Sequence, residues 1–390
     1  MIYKEFKGKQ FSQLGFGAMR LPVLQDGSVD ESKVEEMVRI AMENGVNYFD
    51  TAYPYHSGES EAVLGRILKK YDRDSFYLST KFPGHQFSES YDPAAVFEEQ
   101  LKKCQVEYFD LYMMHNISEY SINTYFDERW NIVPYFIEQK KAGRIKHLGF
   151  SAHGSIEIIQ QFLDAFGDEM EFCLIQANYL DWTLQDAKKK IEFLNEKGLA
   201  ILIMEPLRGG RLAKLSDAEE AEMKTMRPEE SAAAWSFRFL QEAEGVTVIL
   251  SGMSDIDQMI DNVNTFKERK PLSEEEKALV FRVAEGLKDS VPCTKCGYCL
   301  KDCPMGLDIP MLLEVYNEMR IMPGANALLR VEGLPDERKP EVCISCGKCS
   351  DNCPQNIDIP SSLADLVEKI SKMPTWKSIC IEREAAQKRL

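Results

Sequence analysis

The segment Val46–Phe82, VNYFDTAYPYHSGESEAVLGRILKKYDRDSFYLSTKF, contains the unit whose repetition decides the fold. Its two ends, Val46–Thr51 and Phe76–Phe82, are short apolar runs rich in aromatic and β-branched residues, which favour strands. The stretch between them begins near Gly58 and carries apolar residues at helical spacing. The segment therefore predicts a strand, a helix and a second strand.

The same alternation extends over the first 265 residues. The predicted strands are Gln13–Arg20, Val46–Thr51, Phe76–Phe82, Phe109–His115, His147–Ala152, Phe172–Asn178, Leu199–Glu205 and Val246–Gly252. Helical segments are predicted to begin near Glu31, Gly58, Asp92, Asp127, Ser155, Leu184, Glu229 and Asp255, and 206–228 is predicted to be a long loop. Eight such units match an α/β fold, the (β/α)8 TIM barrel. A doubly wound sheet is the alternative, but it calls for G-x-G-x-x-G after the first strand, and that motif is absent.

Two copies of one cysteine pattern follow the barrel, fifty residues apart. Each has the spacing C-x2-C-x2-C-x3-C-P, which is typical of bacterial ferredoxins that bind [4Fe–4S] clusters. The cysteines are Cys293, Cys296, Cys299 and Cys303 in the first copy and Cys343, Cys346, Cys349 and Cys353 in the second. Zinc is the alternative metal, but zinc sites usually pair two separated C-x2-C units. The sequence therefore predicts two [4Fe–4S] clusters.

The fourth cysteine of each ferredoxin copy ligates the other cluster. One cluster is thus expected to use Cys293, Cys296 and Cys299 with Cys353, and the other Cys343, Cys346 and Cys349 with Cys303. Helices predicted around the clusters make this region small and mainly α-helical. The predicted domains are a barrel at 1–270, a helical connector at 271–289 and a ferredoxin-like domain at 290–390.

Composition limits the partners and the compartment. The formal net charge of −16 disfavours nucleic acid and anionic membranes. No apolar run reaches the roughly 18 residues that a membrane-spanning helix requires. Eight of the 11 cysteines lie in the cluster patterns and no export signal is evident, so we expect a reducing cytoplasm. Cys104 and Cys173 lie in apolar segments and are predicted to be buried.

Four residues suggest hydride chemistry: Asp50, Lys81 and His115 at the ends of predicted strands, and Tyr55 in the loop after the second strand. In a barrel they would converge at the C-terminal face, where catalytic residues gather. A carbonyl that accepts hydride on carbon needs a proton on oxygen. Tyr55 would supply it, Lys81 would lower the pKa of Tyr55, Asp50 would hold Lys81, and His115 would orient the carbonyl.

The barrel resembles the aldo/keto reductase family. The matching stretches are Leu14-Gly-Phe-Gly-Ala-Met-Arg-Leu21, Asn47-Tyr-Phe-Asp-Thr-Ala-Tyr-Pro-Tyr55, Ser79-Thr-Lys81, Asp110-Leu-Tyr-Met-Met-His115 and Gly149-Phe-Ser151. The resemblance implies that the family's catalytic tetrad falls on the same four residues. Together with the cysteine repeat, it identifies the chain as similar to the iron–sulfur-containing branch of the family.

The resemblance also implies a nicotinamide dinucleotide, NADP or NAD. The positions it assigns to that cofactor are Ser151, Gln176, Pro206, Leu207, Gly209, Ser251, Ser254, Gln258 and Asn262, with Asn178 close by. Two departures stand out. Met204 and Glu205 occupy the place where many members stack an aromatic residue, and Gly252 and Gln258 occur where many members place cations. Arg208 and Arg211 are the candidates to supply that charge.

Substrate-pocket residues are expected in the loops, and the candidates are His85, Asn116 to Tyr125, Trp130 and Trp182. His56 and His153 adjoin motif residues and are candidate ligand contacts. His85 and His147, taken singly, are interpreted as surface or strand-start residues.

The predicted function is that of an NAD(P)-linked oxidoreductase acting on a carbonyl/alcohol pair, with clusters that carry electrons to or from the barrel. Hydride carries two electrons and a cluster accepts one, so a flavin is a candidate mediator and a ferredoxin-like protein a candidate partner. The alternatives are a carbonyl reductase with purely structural clusters and a non-enzymatic redox sensor.

Overall fold

The protein folds around a closed barrel of eight parallel strands. The computed structural model describes residues 1–287, 290–293 and 295–387. The end of the predicted connector, at Lys288 and Asp289, lies outside the described residues, as do Thr294 and 388–390. The strands are β1 (Tyr3–Phe6), β2 (Lys9–Ser12), β3 (Leu14–Gly17), β4 (Tyr48–Asp50), β5 (Tyr77–Phe82), β6 (Phe109–Ile117), β7 (Ile145–Ala152), β8 (Phe172–Gln176), β9 (Ala200–Met204) and β10 (Val246–Ser251).

Strands β3 to β10 pair in chain order, and β10 closes the barrel on β3. The first ten helices are α1 (Glu31–Glu43), α2 (Glu59–Leu68), α3 (Pro93–Cys104), α4 (Ile122–Phe126), α5 (Ile132–Lys141), α6 (Ile156–Phe166), α7 (Asp181–Leu184), α8 (Ala187–Glu196), α9 (Asp217–Met226) and α10 (Ala232–Gln241). The remaining helices are α11 (Ile256–Thr265), α12 (Glu274–Leu287), α13 (Ile309–Ile321), α14 (Ala325–Glu332), α15 (Lys348–Asp351), α16 (Ile359–Ser371) and α17 (Trp376–Gln387). No described helix is long and apolar enough to cross a membrane.

All eight predicted barrel strands are confirmed, with ends that differ by a few residues. The antiparallel hairpin of β1 and β2 was not predicted. Phe11 of this hairpin stacks on Tyr77 with ring centroids 4.0 Å apart, so the hairpin covers apolar side chains at the N-terminal end of the barrel. Cys104 and Cys173 are buried, as predicted.

The predicted loop 206–228 is wrong in part because it contains α9. This helix begins with a capping box, in which Ser216 and Glu219 each accept a hydrogen bond from the other's backbone amide. The Ser-x-x-Glu pattern was present in the sequence and is a helix-start signal. The helix predicted near Asp127 begins only at Ile132, after the short α4.

The two cysteine copies share the same backbone conformation as well as the same sequence pattern. Left-handed backbone angles occur at Lys295 and Ser345, at Gly297 and Gly347, and at Gly306 and Asn356, each pair fifty residues apart. The helices that follow, α13 and α16, have 13 residues each and start with an Asp cap and a Pro in the first turn. The hydroxyl of Tyr316 joins them by donating to Asp365 at 2.7 Å.

The C-terminal region packs on the carboxyl end of the barrel. Asn326 of α14 contacts the ring of His153 at 3.1 Å, and Lys295 of the first cysteine loop pairs with Asp186 at 2.6 Å. The indole of Trp376 in α17 donates to the carbonyl of His85 at 2.7 Å. Three separate parts of the C-terminal region therefore contact the face where catalytic residues of a barrel gather.

Gly65 of α2 is predicted to be required for helix packing. A Cβ at this position would lie 2.3 Å from the carbonyl oxygen of Lys103 and 2.7 Å from the backbone of Cys104. We expect Gly65→Ala to lower the free energy of unfolding by about 1–3 kcal/mol, because α2 and α3 would have to separate. Thermal unfolding of the full-length protein, followed by circular dichroism, measures the change.

Gly286→Ala in α12 is the matched control. Its new Cβ would meet no atom closer than 3.8 Å, so the substitution should be neutral or stabilise by up to about 1 kcal/mol. Equal effects of the two variants would contradict the close-packing role of Gly65.

Candidate functional site

The four predicted catalytic residues lie together at the carboxyl end of the barrel. Asp50 ends β4 and Lys81 lies near the end of β5; their side chains are buried and form an ion pair at 2.5 Å. Lys81 also donates to the carbonyl of Thr51 at 2.8 Å, and Asp50 accepts from Ser79 at 2.5 Å. Thr51 follows Asp50 directly and Ser79 lies on β5, so these contacts hold the ammonium group in one place.

Tyr55 lies beside this ion pair. Its ring centre is 5.0 Å from Nζ of Lys81 and 6.0 Å from the ring centre of His115. Burial raises the pKa of Tyr55 and outweighs the opposing effect of the Lys81 charge. Lys81 lowers the pKa of Tyr55 as expected, but the net shift is upward because the desolvation of the phenolate is the larger effect. The raised pKa keeps Tyr55 protonated at neutral pH, as a proton donor must be.

A strained turn presents Tyr55. The two residues after it, His56 and Ser57, have φ values of 50° and 54°, and Gly58 follows at 93°. Nε2 of His56 accepts a hydrogen bond from the amide of Leu21 at 3.0 Å, which anchors the turn to the segment after β3. His56 was a candidate ligand contact; its accepting nitrogen instead serves the backbone.

His85 is buried against His115, so the prediction of a surface residue is wrong. The side chain is 4% exposed and its ring centre lies 4.2 Å from that of His115. Burial lowers the pKa of His85 to about 3 and that of His115 well below its ordinary value, so both rings are neutral at pH 7. The alternative prediction, that His85 lines the substrate pocket, agrees with this position.

The other candidates for the substrate pocket differ in how close they lie to the tetrad. Tyr125 is buried and donates to the carbonyl of His115 at 2.7 Å, so it supports the end of β6. Trp130 packs on Tyr91, and Trp182 packs on Phe239 with ring centres 4.9 Å apart. Both tryptophans thus make contacts away from the tetrad.

The positions assigned to nicotinamide form one hydrogen-bonded group around Asp181. Gln176 and Asn178 donate to Oδ2 of Asp181 at 2.9 and 2.6 Å, and Arg208 pairs with its other oxygen. Ser151 lies on the neighbouring β7, where its hydroxyl accepts from the amide of Asn116. Asp181 was not predicted, although it stands three residues after Asn178, a common distance for a side chain that accepts from a neighbour.

Arg208 is not available for a phosphate. Arg208 is 1% exposed and its guanidinium binds Asp181. The prediction that Arg208 supplies the charge of the missing cations is therefore wrong. Arg211 is exposed on the same loop and remains a candidate. The loop itself turns sharply at Gly209 and Gly210, whose φ values are 66° and 93°.

Arg20 is a cation that the sequence reasoning missed. It lies between the two segments assigned to the cofactor phosphates. A Cβ at Gly209 would be 3.4 Å from its guanidinium, and one at Gly252 would be 3.2 Å from its Cγ. Arg20 pairs with Glu205 at 3.3 Å, and its carbonyl accepts from Ser254. The only signal was its place at the end of the Leu14–Leu21 motif.

The remaining assigned positions also lie at this edge of the barrel. Gln258 accepts from the amide of Ser254 at 2.9 Å, and Asn262 donates to Ser251 at 2.9 Å. The carbonyl of Pro206 accepts from Ser236 at 2.6 Å, and Leu207 leads into the glycine turn. Glu205, at the place of the usual aromatic residue, accepts from the amide of Gly209 and so stiffens the loop.

The cysteines gather in the exchanged sets that the ferredoxin rule predicts. One small cavity is lined by Cys293, Cys296, Cys299 and Cys353 together with Pro310 and Leu313. Cys343 and Cys303 both act electrostatically on Cys349, so these three cysteines of the second expected set lie near one another. Four thiols around an apolar cavity suit a cubane cluster, since thiolates are its usual ligands.

Comparison with known proteins agrees with this geometry. Residues 13–285 match the model of the aldo/keto reductase family, and residues 292–357 match that of the 4Fe-4S dicluster domain. The chain belongs to the aldo/keto reductase family. It is therefore an oxidoreductase that carries an iron–sulfur domain, and the non-enzymatic alternative is set aside.

The similar proteins match about 70% of this chain, a length close to that of the barrel. L-galactose dehydrogenase of Arabidopsis thaliana is 26% identical over 298 residues, which are 70% of this chain and 89% of that protein. The aldo-keto reductase AKR11C1 from Bacillus halodurans has a TM-score of 0.58 at 24% identity and covers 73% of this chain and 96% of its own. A Klebsiella pneumoniae aldo-keto reductase in complex with NADPH has a TM-score of 0.57 at 19% identity, with coverage of 73% and 96%.

The exchange of the fourth cysteine predicts which cluster each variant loses. Cys353→Ser should remove the same cluster as Cys296→Ser, because both thiols line one cavity. Cys303→Ser and Cys346→Ser should remove the other. Iron and sulfide analysis with electron paramagnetic resonance of the dithionite-reduced proteins tests this; identical spectra for Cys353→Ser and Cys346→Ser would contradict the exchanged sets.

Proposed function

We propose that this aldo/keto reductase reduces carbonyl groups with a nicotinamide dinucleotide. The overall reaction is carbonyl + NAD(P)H + H⁺ → alcohol + NAD(P)⁺, in which the carbonyl carbon gains hydride and its oxygen gains a proton. The observation that carries the proposal is the buried Asp50–Lys81 ion pair beside the rings of Tyr55 and His115. The reverse reaction uses the same groups.

The electrostatics assign a role to each residue. Tyr55 donates the proton, since its raised pKa keeps the hydroxyl protonated until the carbonyl oxygen gains charge. The Lys81 charge then stabilises the phenolate that remains, and Asp50 keeps Lys81 in position. His115 is neutral, so it orients the carbonyl oxygen by hydrogen bonding and adds no charge.

The nicotinamide dinucleotide supplies the hydride when it is bound. Gln176, Asn178 and Ser151 would hold the carboxamide, and the 205–210 loop with the start of α11 would hold the phosphates. Arg20 and Arg211 are positive groups beside these segments and favour NADP, although NAD fits the same loops. The Klebsiella pneumoniae relative holds NADPH in the same fold.

We further propose that the C-terminal region binds two [4Fe–4S] clusters that exchange single electrons with the barrel site. Support comes from the way the first cysteine loop meets the barrel. Lys295, between Cys293 and Cys296, pairs with Asp186 of the barrel and Glu314 of α13. The charge of Glu318, on the same helix, acts on Arg208, which binds the Asp181 group. A flavin at the barrel face would join one-electron and two-electron steps.

A ferredoxin-like carrier is the proposed electron partner. Both cysteine loops expose large apolar side chains: Tyr298 and Leu300 in the first, and Ile344 in the second, which is 60% exposed. Apolar contacts beside a cluster suit a transient redox partner, whose interface is small. The proposed compartment is the cytoplasm, where the thiols stay reduced.

Structural clusters are the second candidate, and the docking of α17 favours it. This helix follows the second cysteine copy and reaches the catalytic face, where Trp376 contacts His85. Clusters that only fold the C-terminal region would still be needed to hold this helix over the site.

Tyr55→Phe tests the carbonyl-reductase proposal. We expect kcat to fall about 10²–10⁴-fold, the usual contribution of a positioned general acid, while nicotinamide nucleotide binding is retained. Steady-state assays with a panel of aldehydes and fluorescence titration of NADPH measure the two effects. Tyr53→Phe is the matched control because Tyr53 hydrogen-bonds Glu99 outside the tetrad; equal losses in the two variants would contradict the role of Tyr55.

Anaerobic addition of NADPH or NADH tests the electronic coupling. Coupled clusters should lose visible absorbance on reduction, with or without added flavin. In the same experiment Cys296→Ser should abolish bleaching of the first cluster. An absence of bleaching under every condition, together with full turnover by a folded Cys296→Ser protein, would favour the structural role instead.

A further inference from the structure

The helix α17 forms a wall of the candidate active site, although it is the last element of the described chain. Its first residue, Trp376, is buried, donates to the carbonyl of His85 and lies against that ring with centres 5.6 Å apart. One turn later, Sγ of Cys380 accepts a hydrogen bond from the amide of Phe87 at 3.4 Å. The helix therefore packs on the loop that follows β5, next to the tetrad.

His85 transmits this contact to the tetrad and has hydrogen-bonding capacity left over. Its ring touches His115 on one side and Trp376 on the other. Nδ1 of His85 and Nδ1 of His115 are both buried without a hydrogen-bond partner. Buried polar atoms are nearly always paired, so unpaired ones at one place point to a polar ligand.

Arg383 lies on the same face of α17 as Trp376 and Cys380, because the three residues follow helical spacing. Its guanidinium is 5.3 Å from the centre of the Trp376 ring. Trp376, in turn, lies against His85, and after burial the positive charge of Arg383 is among the causes that lower the pKa values of both His85 and His115. Among the described residues, no carboxylate forms an ion pair with it.

We propose that Arg383 and His85 form an anion subsite beside Tyr55 and His115, and that the carbonyl substrate carries a carboxylate. The subsite rests on the proposed function, whose substrate class it specifies. The planar guanidinium suits a carboxylate because it donates two parallel hydrogen bonds. A neutral His85 ring adds one more donor. Lys81 does not compete for the anion because Asp50 already binds it.

The test compares aldehydes that differ only in the acid group. The pairs are succinic semialdehyde with butyraldehyde and para-carboxybenzaldehyde with benzaldehyde, each assayed for kcat/KM with NADPH and NADH. The native protein should prefer the acid of each pair about 10-fold or more. Arg383→Ala should lower that preference about 10–100-fold through KM, the usual effect of losing hydrogen bonds to a charged group, and Arg383→Lys should restore part of it.

Lys377→Ala is the matched control on the same helix, since the exposed Lys377 lies over Phe87 and should leave the preference unchanged. Calorimetric titration of succinate and benzoate gives a reading that does not need turnover. Anion binding that Arg383→Ala weakens, with no reduction of any aldehyde, would contradict carbonyl reduction and support the subsite. Equal kcat/KM within each pair, or anion binding indifferent to Arg383, would overturn the subsite while leaving carbonyl reduction in place.

Discussion

A buried network of charges joins the barrel to the C-terminal region. Arg330 and Glu318, both less than 10% exposed, lie near Glu314, which pairs with Arg330 at 3.0 Å and with Lys295 at 2.8 Å. Burial alone would raise the pKa of Glu314, but Arg330 and Lys295 hold it at about 2. A buried charge without its partner costs about 3–5 kcal/mol. Since Asp186 of the barrel completes the network, each region neutralises charge on the other.

The sequence allowed the barrel and the tetrad to be predicted because their signals are local. Each strand carries its own apolar run, and Asp50, Lys81 and His115 each fall at or near a strand end, so closure of the barrel brings them together. The cysteine repeat is also local, and the exchange of its fourth ligand follows a general rule. The start of α9 also has a local signal, the capping-box pattern of Ser216 and Glu219, which was not used in the prediction.

The contacts that were missed are the ones between distant parts of the chain. Trp376 and His85 are 291 positions apart, and nothing in either segment indicates that they meet. The burial of His85 and the position of Arg383 both follow from that contact. Arg208 was assigned to a phosphate for a similar reason, since its pairing with Asp181 depends on how two loops fold over each other. Charge alone does not tell a buried partner from an exposed one.

The proposed pair of clusters bears on how the two electrons of a hydride could pass to one-electron acceptors. A hydride brings two electrons together, whereas each cubane takes one, so a single cluster would leave a nicotinamide radical. The two proposed clusters would lie close together, because the charge of Cys349 in the second copy acts on Cys299 in the first, and each cluster could hold one electron. In the proposed electron transfer, the second electron would nevertheless leave the barrel after the first. The proposed coupling would therefore require a carrier that tolerates the odd-electron state on the barrel side, where Arg208, Glu318 and Arg330 link the Asp181 group to the first cysteine loop.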